Sequence, residues 1–172
     1  FVVHTYVVGG GPDDTREAMQ ACMAVTDQVV AKLADYHRLI VRETGKDLPL
    51  AVTEFNAGFV QEKPVPYRFT FGAALFCADY MRQMLQPETN VAFANYWQFL
   101  NGYWGYVRTK TTGDQTKVET LAAYPVFQLM GQHTLTSLIG CQVSNEPKIE
   151  FGGCNRALGT KKDFQLEEKF VR

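Results

Sequence analysis

The chain has 172 residues, of which 17 are basic and 18 acidic, and 46% are hydrophobic. Because the charges balance, no field of one sign is available to hold nucleic acid or an anionic membrane. The apolar content is that of a globular chain with a large core, and the four scattered cysteines form no CxxC and lie at no ligand spacing from a histidine. We therefore expect no metal site and assign no cofactor.

The chain begins with a predicted strand and helix. Residues 1–8 are β-branched and aromatic, and a glycine run at 9–11 ends them. Apolar residues then recur every three or four positions, which predicts a helix that ends at Gly45. This stripe comprises Ala18, Cys22, Val25, Val29, Leu33, Tyr36 and Ile40. The opening run has no charged region ahead of an apolar core, so it does not resemble a signal peptide, and a cytoplasmic location is favoured.

A second apolar strand, residues 48–56, ends in a carboxylate and an amide, Glu54 and Asn56. Parallel α/β folds place their chemistry at the carboxyl ends of strands, although a Glu here could equally cap the strand or form a salt bridge. A loop, 57–66, and a second helix, 67–86, follow, and Pro87 ends the helix. The predicted apolar side of this helix consists of Phe71, Leu75, Ala78 and Leu85.

A third strand, 91–99, leads into an aromatic loop, 100–107. The uncharged stretch 89–107 superficially suggests a membrane span, but its asparagine and glutamine amides could not be satisfied by lipid. A polar hairpin-like stretch around 112–114 precedes a third helix, 118–139, in which Pro125 marks a kink or the true first turn.

The order βα, βα, βα predicts a parallel sheet with right-handed crossovers, which suits an open sheet or a closed barrel. Three units cannot close a barrel, since a complete (β/α)8 TIM barrel takes roughly 250 residues. We predict that residues 1–140 are its last three βα units. Residues 141–172 are expected to begin a β-rich, sandwich-like domain or to form a frayed tail. Cys22 and Cys77 are expected to be reduced core residues, whereas Cys141 and Cys154 could be bridged.

Candidate site residues gather at the predicted strand ends. His4 and Tyr6 share one face of the first strand and either pack there or project beside Glu54. Gln98 follows Trp97 at the end of the third strand, where aromatic faces and amides could bind a sugar or serve packing alone. The glycines at 9–11 are not expected to hold phosphate, because acidic residues follow them at the helix start.

Three motifs follow one another along the chain: His4-x-Tyr6, Thr53-Glu54-Phe55-Asn56 and the run 94–101. In their order and spacing they resemble the C-terminal half of the catalytic barrel of family 51 glycoside hydrolases, the α-L-arabinofuranosidases. The resemblance implies that Glu54 is the catalytic nucleophile and that Tyr6 supports it. Thr53 and Phe55 stand where that family usually has Asp and Trp. The implied substrate-binding residues are His4, Tyr6, Asn56, Trp97, Gln98, Asn101 and Trp104.

The resemblance implies a retaining hydrolase that acts on arabinose-containing oligo- or polysaccharides. Such a mechanism needs a second carboxyl ~5 Å from the nucleophile. Asn145-Glu146-Pro147 matches the expected Asn-Glu motif but follows the last helix, so we expect the acid to come from a missing N-terminal half of the barrel, in the same gene product or in a second chain. A homo-oligomer is compatible with the sequence. The alternatives are a barrel glycosidase acting on xylosides or glucans, and a non-catalytic sugar-binding or assembly subunit.

Overall fold

The structure is a computed structural model. It describes residues 1–7, 15–57, 66–103, 105–134, 136–137, 139, 144–145, 150–151 and 170–171. Its centre is a parallel sheet of β1 (Val2–Val7), β2 (Leu50–Ala57) and β3 (Val91–Tyr96), with β2 in the middle. The predicted order and direction of these three strands are confirmed.

Helices and a hairpin complete the described part of the chain. The helices are α1 (Thr15–Thr44), a 3₁₀ turn (Pro66–Phe69), α2 (Phe71–Met84), a second 3₁₀ turn (Pro87–Thr89) and α3 (Tyr124–His133). The remaining strands are the antiparallel pair β4 (Val107–Thr112) and β5 (Gln115–Thr120), and the short pair β6 (Glu150–Phe151) and β7 (Phe170–Val171). None of the helices so described is long and apolar enough to cross a membrane.

Helix α1 follows its sequence pattern. Every member of the predicted stripe except Tyr36 is buried, and Tyr36 is half-buried against the same core. Gly45 follows the last helical residue with φ +66°, the left-handed conformation that glycine adopts without strain. Cys22 and Cys77 are free and buried, as predicted.

The predicted apolar side of α2 is wrong. Phe71 is 75% exposed, and Leu75 and Leu85 are also exposed. Apolar residues occur around most of this helix, so the sequence leaves its core side ambiguous. The side that is buried carries the larger rings, because Phe76 and Tyr80 stack on each other and Tyr80 stacks on Phe55 of β2.

The third unit also differs from its prediction. The third strand ends at Tyr96 and not at 99, and residues 118–120 belong to β5 and not to a helix. Helix α3 begins only at Tyr124, and Pro125 lies in its first turn, where a missing N–H costs no helical bond. This outcome confirms one of the two roles foreseen for Pro125, and the hairpin around 112–114 is also confirmed.

One core joins α1, α2 and β2 and determines which side chains face the other side of the sheet. The Tyr80 hydroxyl donates to Thr5 Oγ1 at 2.5 Å, and its ring packs on Phe55. Adjacent side chains of a strand point to opposite faces. Tyr6 and Glu54 therefore lie on the face turned away from the helices.

Candidate active site

The candidate site begins with an extra residue in β2. Val3 of β1 pairs with Val52, but the next residue, His4, pairs with Glu54, which leaves Thr53 unmatched. Val52 and Phe55 are three positions apart, and both are buried in the core, which regular alternation would not allow. This β-bulge accommodates Thr53 while Glu54 keeps its place on the opposite face.

Glu54 is held through one of its two carboxylate oxygens. The Tyr6 hydroxyl donates to Oε2 at 2.5 Å, and His4 Nδ1 lies 3.4 Å from the same oxygen. Over the described residues, Oε1 makes no hydrogen bond. The Glu54 side chain is 24% exposed, so the carboxylate is fixed at one oxygen and remains accessible.

The surroundings of Tyr6 keep its hydroxyl protonated, so that it remains a hydrogen-bond donor. Its burial, and then its hydrogen bond to Glu54 and the negative charge of that carboxylate, raise the pKa of Tyr6 well above the ordinary value for tyrosine. The positive charge of Arg68 acts in the opposite direction but is outweighed. Tyr6 is thus protonated at neutral pH and donates its hydrogen bond to the Glu54 carboxylate.

Asn56 links the carboxyl ends of β2 and β3. Its amide nitrogen donates to the Trp97 carbonyl, and its Oδ1 accepts from the Ala57 N–H at 2.7 Å. The Trp97 N–H in turn donates to the Phe55 carbonyl at 3.0 Å. The side chain of Asn56 is buried among these partners, so a contact with sugar remains a prediction for this residue.

The loop after β3, which we call the rim loop (residues 97–106), is closed by its own hydrogen bonds. Asn101 Oδ1 accepts from the Tyr103 N–H at 2.7 Å. With its amide oriented to satisfy both groups, Gln98 accepts from Trp97 Nε1 and donates to the Leu100 carbonyl, each at 3.3 Å. Gln98 and Asn101 therefore lie in one loop with Trp97, next to the end of the strand that neighbours Glu54.

Some predicted residues fall outside the described part of the chain. These are Trp104, the glycines at 9–11 with the acidic residues that follow them, Glu146, Cys141 and Cys154. Of the Asn-Glu-Pro motif the structure describes only Asn145, which has a positive φ of 58°. The division of the chain at residue 140 likewise remains a prediction.

The sequence did not point to Arg68, which the structure places at the rim. It is only 4% exposed, and it donates from Nε to the Ala57 carbonyl at 3.1 Å and from Nη1 to the Tyr103 carbonyl at 2.8 Å. Burial lowers the pKa of Arg68 to about 10, so the side chain stays charged at neutral pH. An arginine between two aromatic residues after Pro66 is the available sequence signal, but exposure is the usual state of such a residue.

Comparison of the sequence with protein-family models finds no match, and neither does comparison with curated protein sequences. Solved structures do resemble the chain, among them the three that follow. The α-L-arabinofuranosidase of Thermotoga maritima, in complex with arabinose, shares 21% identity with a TM-score of 0.64, over 87% of this chain and 30% of that one.

The other two are family 51 arabinofuranosidases. The enzyme of Xanthomonas axonopodis pv. citri shares 21% identity, with a TM-score of 0.56, over 75% of this chain and 28% of that one. The enzyme of Bifidobacterium longum shares 13% identity, with a TM-score of 0.53, over 77% and 31%. This chain spans less than a third of the length of each. At these identities the likeness establishes the fold alone: a mixed α/β fold that matches part of a family 51 arabinofuranosidase.

Proposed function

We propose that this chain is part of a glycoside hydrolase in which Glu54 is the nucleophile. The observation that carries the proposal is the geometry of one carboxylate. Oε2 is held by Tyr6 and His4, while Oε1 makes no hydrogen bond over the described residues. A nucleophilic carboxylate requires one oxygen fixed in position and the other left to attack.

We further propose that the three βα units are the last three of a (β/α)8 barrel. The parallel order β1-β2-β3 supports this, as does the match to less than a third of longer enzymes. In the described residues, β1 and β3 each pair along one edge only, so each has a free edge for another strand. The remaining units would come from another segment of the same gene product or from a second chain.

The proposed substrate is an arabinose-containing oligo- or polysaccharide, from which the enzyme removes α-L-arabinofuranosyl residues. The sequence motifs around Tyr6, Glu54 and Gln98 support this choice. So do the arabinofuranosidases among the structural neighbours, one of which was solved with arabinose.

The proposed reaction proceeds with retention. Glu54 attacks the anomeric carbon, and a second carboxylic acid, supplied by the remaining barrel units ~5 Å away, gives its proton to the leaving oxygen. The resulting glycosyl-Glu54 ester is then attacked by water, which the second carboxylate deprotonates. Tyr6 holds Oε2 throughout, so Glu54 keeps its direction as its charge is consumed and restored.

The test uses the assembled enzyme, meaning this chain together with the polypeptide that completes the barrel. We expect release of the aglycone from an aryl α-L-arabinofuranoside, and Glu54→Gln should abolish it while arabinose binding, measured by calorimetry, is retained. Glu88→Gln is the matched control, since Glu88 lies in the turn ahead of β3, at the opposite end of the strands. A Glu54→Gln enzyme with unchanged turnover would end the nucleophile assignment.

A panel of aryl glycosides that differ in their sugar separates the alternatives. Turnover of an aryl xyloside or glucoside in place of the arabinofuranoside would keep the mechanism and change the sugar. Arabinose binding without turnover of any aryl glycoside would favour a non-catalytic binding subunit, which the short span of this chain relative to its neighbours leaves open.

A further inference from the structure

We propose that Arg68 is a positioning residue that fixes the rim loop relative to the strand that carries Glu54. The proposal rests on the hydrolase function given above and adds to it a residue that no sequence motif indicates. It is argued from three properties of Arg68: what it bridges, where its charge lies, and how deeply it is buried.

The guanidinium joins two segments that are far apart in sequence. Nε donates to the carbonyl of Ala57, the third residue after Glu54 in β2. Nη1 donates to the carbonyl of Tyr103 in the rim loop, next to the turn that the Asn101 side chain closes. One rigid, planar group thereby sets the spacing between the strand that bears Glu54 and the loop that bears the predicted sugar contacts.

The charge of Arg68 lies close to the reacting pair. Arg68 and Tyr6 interact electrostatically, and so do Arg68 and Tyr96, the last residue of β3. Tyr6 is the residue that bonds Oε2 of Glu54. The bridge that Arg68 forms therefore lies near the pair that orients Glu54.

Burial makes the position of Arg68 hard to change. Arg68 is 4% exposed, and a hydrogen bond from a charged donor is stronger than one between neutral groups. A side chain without the forked guanidinium would leave at least one of the two main-chain carbonyls without this donor.

The test compares Arg68→Gln, Arg68→Lys and Arg82→Gln in the assembled enzyme. Arg68→Gln keeps a donor but removes the charge, whereas Arg68→Lys keeps the charge but cannot span both carbonyls. Arg82 is an exposed arginine of α2 that pairs with Asp79, so Arg82→Gln is the control for the loss of one arginine. The measurements are kcat and KM for an aryl α-L-arabinofuranoside and the thermal unfolding midpoint of each variant.

We expect Arg68→Gln to lower kcat by about 10- to 100-fold, because a small displacement of reacting groups costs that much. KM should rise as kcat falls, because the rim loop that carries the predicted sugar contacts is displaced as well, whereas a loss of folded enzyme alone would lower the apparent kcat and leave KM unchanged. Arg68→Lys should lower kcat to a similar extent, because one ammonium group cannot bond both carbonyls, and Arg82→Gln should match the parent enzyme.

Three results would overturn the assignment. The first is an Arg68→Gln variant whose kcat, corrected for the folded fraction, equals that of the parent. The second is an Arg68→Lys variant as active as the parent, which would show that the bridge between the two carbonyls is not needed. The third is a parent enzyme that is inactive on every aryl glycoside, which would refute the proposed function together with this inference and is distinguishable from the other two.

Discussion

Tyr6 and Glu54 lie on adjacent strands and share one hydrogen bond, so each limits where the other can point. Tyr6 lies two residues after His4, and the side chains of both lie next to the same carboxylate oxygen of Glu54. The i, i+2 spacing on a strand made their shared face predictable, and the strand order made their meeting with Glu54 predictable. Arg68 was not predictable, because its burial depends on two carbonyls 11 and 35 positions away along the chain.

At this scale we expect Tyr6→Phe to lower kcat/KM by about 10- to 100-fold, since a hydrogen bond to a charged group is worth about 1.5–3 kcal/mol. Burial and the neighbouring Glu54 keep the Tyr6 pKa raised, so the hydroxyl does not titrate in the working range. The alkaline limb of the pH–rate profile should therefore stay where it is in Tyr6→Phe. A limb that disappears in this variant would show that Tyr6 itself gains and loses the proton.

Thr53 offers a prediction on stability. In the part of the chain that the structure covers, its hydroxyl is buried and finds no hydrogen-bond partner. We expect Thr53→Val to leave the free energy of unfolding unchanged or to raise it by up to about 1 kcal/mol, because an unsatisfied polar group is removed at constant shape. Denaturant unfolding measures this change.

Thr89→Val is the matched control for that measurement. Thr89 is fully buried, and its hydroxyl bonds the Met84 and Gln86 carbonyls at 3.0 and 2.9 Å. The same substitution should here cost about 1 kcal/mol. Equal losses at Thr53 and Thr89 would mean that the Thr53 hydroxyl is satisfied in solution.

Among the helices, α1 was predicted correctly and α2 and α3 were not. Helix α1 has charged residues opposite its apolar stripe, so the period of that stripe identified its core side, and Gly45 identified its end. Helix α2 is apolar on most sides, and only the tertiary contact of Tyr80 with Phe55 and Thr5 selects the side that is buried. The predicted start of α3 is wrong because residues 118–120 were assigned to the helix, whereas in the structure they pair with β4.

The rim loop provides a prediction at the scale of an element. A Cβ on Gly105 would lie 2.4 Å from the Asn101 nitrogen and 2.6 Å from the Val107 oxygen, both of them main-chain atoms. Gly105→Ala must therefore shift the loop, and we expect a loss of about 1–3 kcal/mol in stability and of about 10- to 100-fold in kcat/KM.

Gly102 lies in the same loop, and a Cβ there would meet nothing within 4 Å. Gly102→Ala should consequently match the parent enzyme in both unfolding and kinetics. If the two alanine variants behaved alike, the loop would be adaptable, and its bonds could not define a sugar site.

For the molecule as a whole, the two free edges of the sheet are the governing feature. β2 is paired on both sides, whereas the described pairings leave one side of β1 and one side of β3 without a partner strand. Phe1, Val2 and Phe93, near these edges, are more than half exposed. Such edges favour pairing with further strands, in keeping with the proposed barrel.

Hydrogen exchange tests this proposal directly. In the chain alone, β2 amides should be protected, while the outward amides of β1 and β3 should exchange rapidly. Addition of the polypeptide that completes the barrel should slow exchange in β1 and β3 by at least about tenfold. The β4–β5 hairpin is the internal reference and should not change. Unaltered exchange at both edges would argue against a closed sheet.

The surplus residue in β2 has a consequence for how this fold can vary. Were Thr53 absent, Val52, Glu54 and Phe55 would still meet Val3, His4 and Thr5 in an unbroken ladder, with every side chain facing as it does now. The extra residue therefore leaves the pairing residues of β1 and β2 unchanged and alters the local twist and bend of the strand. The direction of the Glu54 side chain can therefore change while the residues around it stay the same. Insertion or deletion of one residue in β2 would alter the angle at which the carboxylate meets a substrate, without giving it new neighbours.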